Sequence, residues 1–171
     1  SVTRDMQINV YNSTNNPPVN PPLRDFCVVA GNEISFDLTS TDPDGDKLFV
    51  RASGGPFEMA SNRATFDSIA ADTGYSTYHF RWITNCTHIR QRPYLVTIKA
   101  TDLNKELQLN DFDVFNIRVI GPPPQGLTAH ASANSIRLIW DRYACSNVKY
   151  FEIYRSNGPS GFEPDSCETG I

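Results

Sequence analysis

The chain has 171 residues and a formal charge of −4, a balance that argues against nucleic-acid binding, which shows as a basic patch. Hydrophobic residues make up 39% and fall in short runs, so nothing approaches the roughly 18 apolar residues of a membrane-spanning helix. Proline (12) outnumbers glycine (10) and no long 3.6-period segment occurs, which suits an all-β protein with many turns.

Residues 1–10 carry no apolar signal-peptide centre, so an exported protein would be represented here by a mature or internal segment. Met6, Ile8 and Val10 alternate as in a strand. The polar, proline-rich run 12–22 that follows predicts an extended, semi-rigid linker. Residues 1–16 are therefore expected to be the last strand of a preceding module plus linker, or else an arm that pairs elsewhere. Residues 25–30 supply a first strand, and Gly31-Asn32 turns into the stretch that organises the chain. There Ile34, Phe36 and Leu38 share one face while Ser35, Asp37 and Thr39 share the other, the period of a half-buried strand. Leu48, Val50 and Ala52 repeat the pattern beyond Asp42-Pro43-Asp44-Gly45-Asp46, where proline and glycine favour a compact turn.

Gly54-Gly55-Pro56 punctuates, and residues 57–71 predict one short strand, 63–66, among loops. After the turn Asp72-Thr73-Gly74, Tyr78, Phe80 and Trp82 share a strand face. A polar loop with Cys86 follows. Tyr94, Val96, Ile98 and Ala100 alternate up to Asp102, residues 104–111 turn, and Phe115, Ile117 and Val119 build a last strand ending at Gly121. Roughly seven strands with turn signals every 8–12 residues predict a two-sheet sandwich over 17–121. Gly121-Pro122-Pro123-Pro124 is a second linker. Beyond it, three strands are expected around Leu127–Ala129–Ala131, Ile136–Leu138–Trp140 and Phe151–Ile153, then a turn-rich tail. Residues 122–171 are too few for a second sandwich, and the chain reads as part of a longer polypeptide.

Four cysteines, 27, 86, 145 and 167, are too far apart for a C-x2-C zinc site. Two disulfides in an oxidising compartment are expected, with three connectivities open. Cys27–Cys86 and Cys145–Cys167 are favoured because each pair then stays inside one module.

The stretches Pro123-Pro124…Leu127-Thr128-Ala129, Ser135-Ile136-Arg137-Leu138-Ile139-Trp140 and Tyr150-Phe151-Glu152-Ile153-Tyr154-Arg155 resemble the first half of a fibronectin type III domain. That resemblance implies a core-packing, structural Trp140. Asn15-Asn16-Pro17-Pro18-Val19, the 42–48 acidic turn and Thr97-Ile98-Lys99-Ala100-Thr101-Asp102 resemble cadherin-like and immunoglobulin-like repeats of large bacterial surface proteins. Trp82-Ile83-Thr84-Asn85-Cys86 with Arg92-Pro93-Tyr94-Leu95-Val96, joined to the fibronectin-like tail, is similar to modular proteins of Bacteroidota linked to gliding motility and type IX secretion. The resemblance implies an exported, extracellular, cell-surface string of β modules. Its partners would be neighbouring modules of the same polypeptide and surface or secretion-machinery proteins.

Clustered aspartates beside an interdomain linker suit calcium, which wants several oxygen ligands. Asp42, Asp44, Asp46 and Asp102 are the candidate ligands, with Asn16 as a further oxygen donor. The bland alternative is a solvated turn in which an aspartate caps backbone N–H groups. An EF-hand is excluded, because Lys47 stands where glycine is needed and Ser53 where the bidentate glutamate belongs. The histidines, His79, His88 and His130, are isolated, and no G-x-S-x-G or H-E-x-x-H motif occurs, so no catalytic residue is assigned. Asn12-Ser13-Thr14 and Asn85-Cys86-Thr87 fit the N-glycosylation pattern, and Asp67-Ser68-Ile69 resembles a bacteroidal O-glycosylation motif, placing the sugar on Ser68. Tyr75, Tyr78, Phe80 and Trp82 would bind carbohydrate only if they faced solvent; at alternate strand positions they read as core. The expected function is a non-enzymatic spacer or presentation segment. The alternative is a carbohydrate-binding accessory module of a secreted polysaccharide-degrading enzyme.

Overall fold

The structure, a computed structural model, describes Met6, residues 13–151, and residues 153, 155 and 157–159. Residues 7–10 of the expected strand 6–10, and Cys167, the fourth cysteine, lie outside the described residues. Among the described residues nine strands follow in order: β1 Phe26–Val29, β2 Glu33–Thr41, β3 Leu48–Gly54, β4 Thr65–Asp72, β5 Tyr75–Ile83, β6 Tyr94–Asp102, β7 Asn110–Ile120, β8 Thr128–Ser132 and β9 Ser135–Ile139. The first seven form two facing sheets, β1-β7-β6-β3 and β2-β5-β4. Every pairing is antiparallel except β1 with β7, where first and last strands run side by side. This is the expected all-β sandwich.

The alternation read from the sequence decides which faces meet. Ile34, Leu38, Val50, Phe80, Trp82, Val96, Ile98, Phe115, Ile117 and Val119 are buried between the sheets. Phe36, Phe80 and Phe115 meet ring to ring at 5.1–5.7 Å. Each fully buried side chain of this size contributes about 1.5–3 kcal/mol relative to exposure. Trp82 is wholly buried and donates its indole N–H to the Asn62 carbonyl at 2.8 Å. Trp82 and Phe80 are therefore core residues.

Two elements outrun their sequence signal. β4 runs to Asp72 rather than ending near Phe66, because Gly74 (φ 80°) closes a tight turn that lays it along β5. Its residues are nearly all exposed, so they carry no apolar period. β7 begins at Asn110, inside the expected turn, since Asn110 to Val114 pair with β6 while alternate residues face solvent.

Beyond Gly121, β8 and β9 form a two-stranded hairpin with Leu127, Ile136 and Ile139 exposed. The expected third strand is a correction: Phe151, Ile153 and Arg155 belong to no strand. A strand persists only with a ladder partner, and a lone hairpin offers little apolar surface to fix one. Trp140 is only half-buried, edge-on to Phe151 at 5.6 Å.

Candidate functional site

The sandwich is fastened to chain at both of its ends. At the first, the 42–46 turn is built by Asp42, whose Oδ1 accepts the N–H groups of Asp44 and Asp46, both at 3.0 Å. That Asx-type capping, with Gly45 at φ 79°, turns the Asp44 and Asp46 carboxylates outward. Asp44 accepts the Asn16 backbone N–H at 2.6 Å and its Nδ2 at 3.0 Å. Asp46 accepts Asn104 Nδ2 at 2.8 Å. Asp102, wholly buried at the end of β6, accepts Asn15 Nδ2 at 2.8 Å through Oδ2 and the Leu109 N–H at 2.9 Å through Oδ1.

The proline-rich stretch continues along the sandwich rather than away from it. Val19 and Thr41 exchange backbone bonds at 2.8 and 3.0 Å. Asn20 and Leu23 donate their N–H groups to Asp111 and Asp113 at 2.8 and 3.3 Å, and Asp25 accepts the Asn116 N–H at 2.7 Å. A chain with so few N–H donors cannot build a ladder of its own. Its remaining donors are taken up by aspartates, whose charge makes each bond stronger than a neutral one.

The cation candidates are thus drawn together here, and Asn16 faces them as a donor. Each of the four carboxylates already accepts at least one amide hydrogen, which a cation at that oxygen would have to displace. Asp42 Oδ2 is buried and accepts no hydrogen bond. Among the described residues, no group of three or more His, Cys, Asp or Glu side chains is arranged to hold a metal ion. Sequence reasoning missed Asn15, Asn104, Asp111 and Asp113, and their only signal was an excess of Asn and Asp flanking β6 and β7.

The second junction is covalent. Cys86 is bonded to Cys145 across 59 residues, and Cys27 is also disulfide-bonded. Both favoured pairings, Cys27–Cys86 and Cys145–Cys167, are therefore corrected. The rule that a bridge stays within a module fails because the loop after β5 and the end of β7 leave the sandwich at the same place. The chain beyond the 122–124 linker folds back onto that loop. Asn147 Nδ2 donates to the Cys86 carbonyl at 2.7 Å, and the Tyr143 hydroxyl to the Pro122 carbonyl at 2.7 Å. A Cβ at Gly121 would collide with that hydroxyl oxygen. The short helical turn Cys86–His88 is capped by Asn85, whose Oδ1 accepts the Thr87 N–H at 2.9 Å, while His88 Nδ1 accepts the Asn85 N–H at 3.1 Å. His88 is buried beside the Trp82 ring at 5.0 Å, and burial pushes its pKa down.

One polar group on the β2–β5 face was not expected. His79 Nδ1 lies 2.5 Å from Asp37 Oδ1, and its Nε2 lies 3.1 Å from Ser35 Oγ. The tautomer with hydrogen on Nδ1 satisfies both contacts. Cross-strand register places Asp37 opposite His79, so the signal lay in pairing and not in spacing. The geometry mimics a nucleophile triad, but the Asp37 side chain is 59% exposed, so the array stands open to solvent. It links β2 to β5 across the outer face of their sheet. His130 lies on exposed β8 and Ser68 on exposed β4. Asn85 is committed to its cap and Cys86 to its bridge.

No family model matches the chain, and no curated protein matches it. Among solved structures, it is similar to the sialic acid binding region of a Streptococcus sanguinis SK1 adhesin, at 14% identity and TM-score 0.45. That match covers 74% of this chain and 47% of the adhesin chain, so the chain spans about half of that neighbour. The SrpA adhesin from Streptococcus sanguinis matches at 14% identity and TM-score 0.47, over 75% of this chain and 92% of that one. A PapD-like domain of human CEP192 matches at 9% identity and TM-score 0.40, over 72% and 99%. Likeness at this level carries no argument about activity.

Proposed function

We propose that the chain is a non-enzymatic structural segment of a large exported cell-surface protein, whose sandwich is held in fixed orientation to the chain on either side so that it spaces or presents other regions. The observation that carries this reading is the Cys86–Cys145 bridge, which spans the proline linker and joins the sandwich to the segment after it. A tether meant to swivel gains nothing from a covalent bond across its hinge. The bridge also favours an oxidising, extracellular setting. The finer assignment, a protein of the gliding-motility or type IX secretion kind, is supported by the resemblance of residues 82–96 and 123–155. Ser68 on the exposed edge strand is accessible to glycosylation in such a setting. Calcium enters this reading as an exchange: at the first junction it would displace the Asn15, Asn16 and Asn104 amides from Asp102, Asp44 and Asp46. The carbohydrate-binding alternative loses Phe80 and Trp82, which are core, and keeps exposed Tyr75 and half-buried Tyr78.

Small-angle scattering and hydrogen exchange on the 171-residue chain, before and after reduction, test the proposal. Reduction is expected to raise the radius of gyration and to speed exchange in residues 121–147 while the sandwich core stays protected. An unchanged profile on full reduction would sink it.

A further inference from the structure

All four outer strands end their sheets, but the two flanks differ. Beside β1 and β2 the incoming chain adds a bridge from Val19 to Thr41, and Phe26 stacks on Phe36 at 5.0 Å. On the other, more open side run β3 and β4, with no further strand paired to either among the described residues. Between them lies a groove of about 330 Å³ lined by Phe49, Arg51, Ala52, Phe57, Phe66 and Tyr78, with no carboxylate in its walls. The walls are rigid: Phe66 stacks on Tyr78 at 4.7 Å, and Phe57 meets the core ring of Phe80 edge-on at 5.9 Å.

The two edges are not equally protected. β4 carries a register shift between Ser68 and Ala70 and two aspartates, Asp67 and Asp72, devices that discourage further pairing. β3 is regular over Leu48–Gly54, with no proline and no shift. The Leu103 N–H to Lys47 carbonyl bond, 2.8 Å, sets the phase of the β3–β6 ladder. Odd-numbered β3 residues turn their backbone to β6, so Leu48, Val50 and Ala52 turn N–H and C=O toward the open side. Beside that edge Phe49 is 52% exposed, and Arg51 is paired in register with Lys99 on the outer face.

We propose that the β3 edge and its groove receive an extended strand from another polypeptide, in which apolar residues alternate with acidic residues that stand beside Arg51. A backbone edge with no neighbour among the described residues is matched by another backbone, the period of two follows from the pleat, and the exposed Arg51 guanidinium selects carboxylates. This is independent of the spacer reading.

The probe is a designed nine-residue peptide alternating valine and glutamate, titrated into the 171-residue chain under amide-detected NMR. Binding is expected to slow exchange of the Val50 and Ala52 amides and to shift Phe57, Phe66 and Tyr78. Arg51→Glu, an exposed change that leaves the fold intact, should weaken binding roughly fivefold. Methylating the peptide nitrogens that face β3 should abolish it. Equal affinity of the methylated peptide, shifts confined to β4, or protection of Val50 and Ala52 by self-association without peptide would each overturn the proposal.

Discussion

The two junctions solve the same problem with opposite chemistry. The first is an array of weak, reversible bonds, in which aspartates on the turn, on β6 and on β7 collect N–H groups of Asn15, Asn16, Asn20 and Leu23. The second concentrates its strength in one covalent bond, Cys86–Cys145, with the Asn147 and Tyr143 hydrogen bonds beside it. An array yields gradually as bonds are lost one at a time. A single bond holds until it is reduced, and then the segment is released. The difference lies in the material available: the first linker has asparagine amides and backbone N–H groups to offer, and the second is three consecutive prolines with none.

The comparison can be broken from either side. The largest effect is expected from the double change Cys86→Ser with Cys145→Ser. Opening a 59-residue loop should lower global stability by about 4 kcal/mol in the chain-entropy model, read as a fall in the denaturant midpoint. Asp102→Ala comes next. It removes the acceptor of the Leu109 N–H and one of the two acceptors of the Asn15 amide at a buried carboxylate, and it should cost about 3 kcal/mol by chemical denaturation. It should also speed exchange in the 103–109 loop while leaving residues 121–147 unaffected. Should both variants loosen both ends equally, the junctions are not separate devices.

Acid sharpens the contrast. The folded His88 pKa lies below its ordinary 6.5 because burial disfavours the cation. The unfolded chain therefore binds a proton that the folded one refuses. His88 contributes stability that is full above about pH 6.5 and is lost as pH falls below it toward the depressed folded value. Melting temperature should fall over that interval, and His88→Gln should flatten the dependence. Exposed Asp44 gives a smaller effect: Asp44→Ala should cost under about 1 kcal/mol while freeing Asn16 to exchange faster. The smallest change is expected from calcium. A rise in melting temperature in millimolar calcium over chelator, abolished by Asp44→Ala, would put a cation in place of the amides; coincident curves would leave the amides as the fasteners.

Much of the fold was legible because its strands carry their own record. Where one face is buried and the other wet, as in Ile34–Phe36–Leu38 or Val96–Ile98–Ala100, period-two alternation is the sandwich written in one dimension. Strands without a buried face, such as most of β4 and the start of β7, leave no such record, and their limits were misjudged. The acidic turn was equally readable, since proline and glycine at 43 and 45 constrain the backbone locally.

What only the tertiary structure decided were the partners. Asn15 and Asp102 lie 87 residues apart in the chain, and the contact between them exists because β6 ends where the linker enters. Cys86 meets Cys145 because two loops leave the sandwich at the same end, a fact set by strand order. Asp37, His79 and Ser35 converge through register across two strands. By itself the sequence determined which faces are buried, because burial is a property of each residue and its near neighbours. Pairing depends on how whole strands are ordered in space, and local pattern does not carry that order.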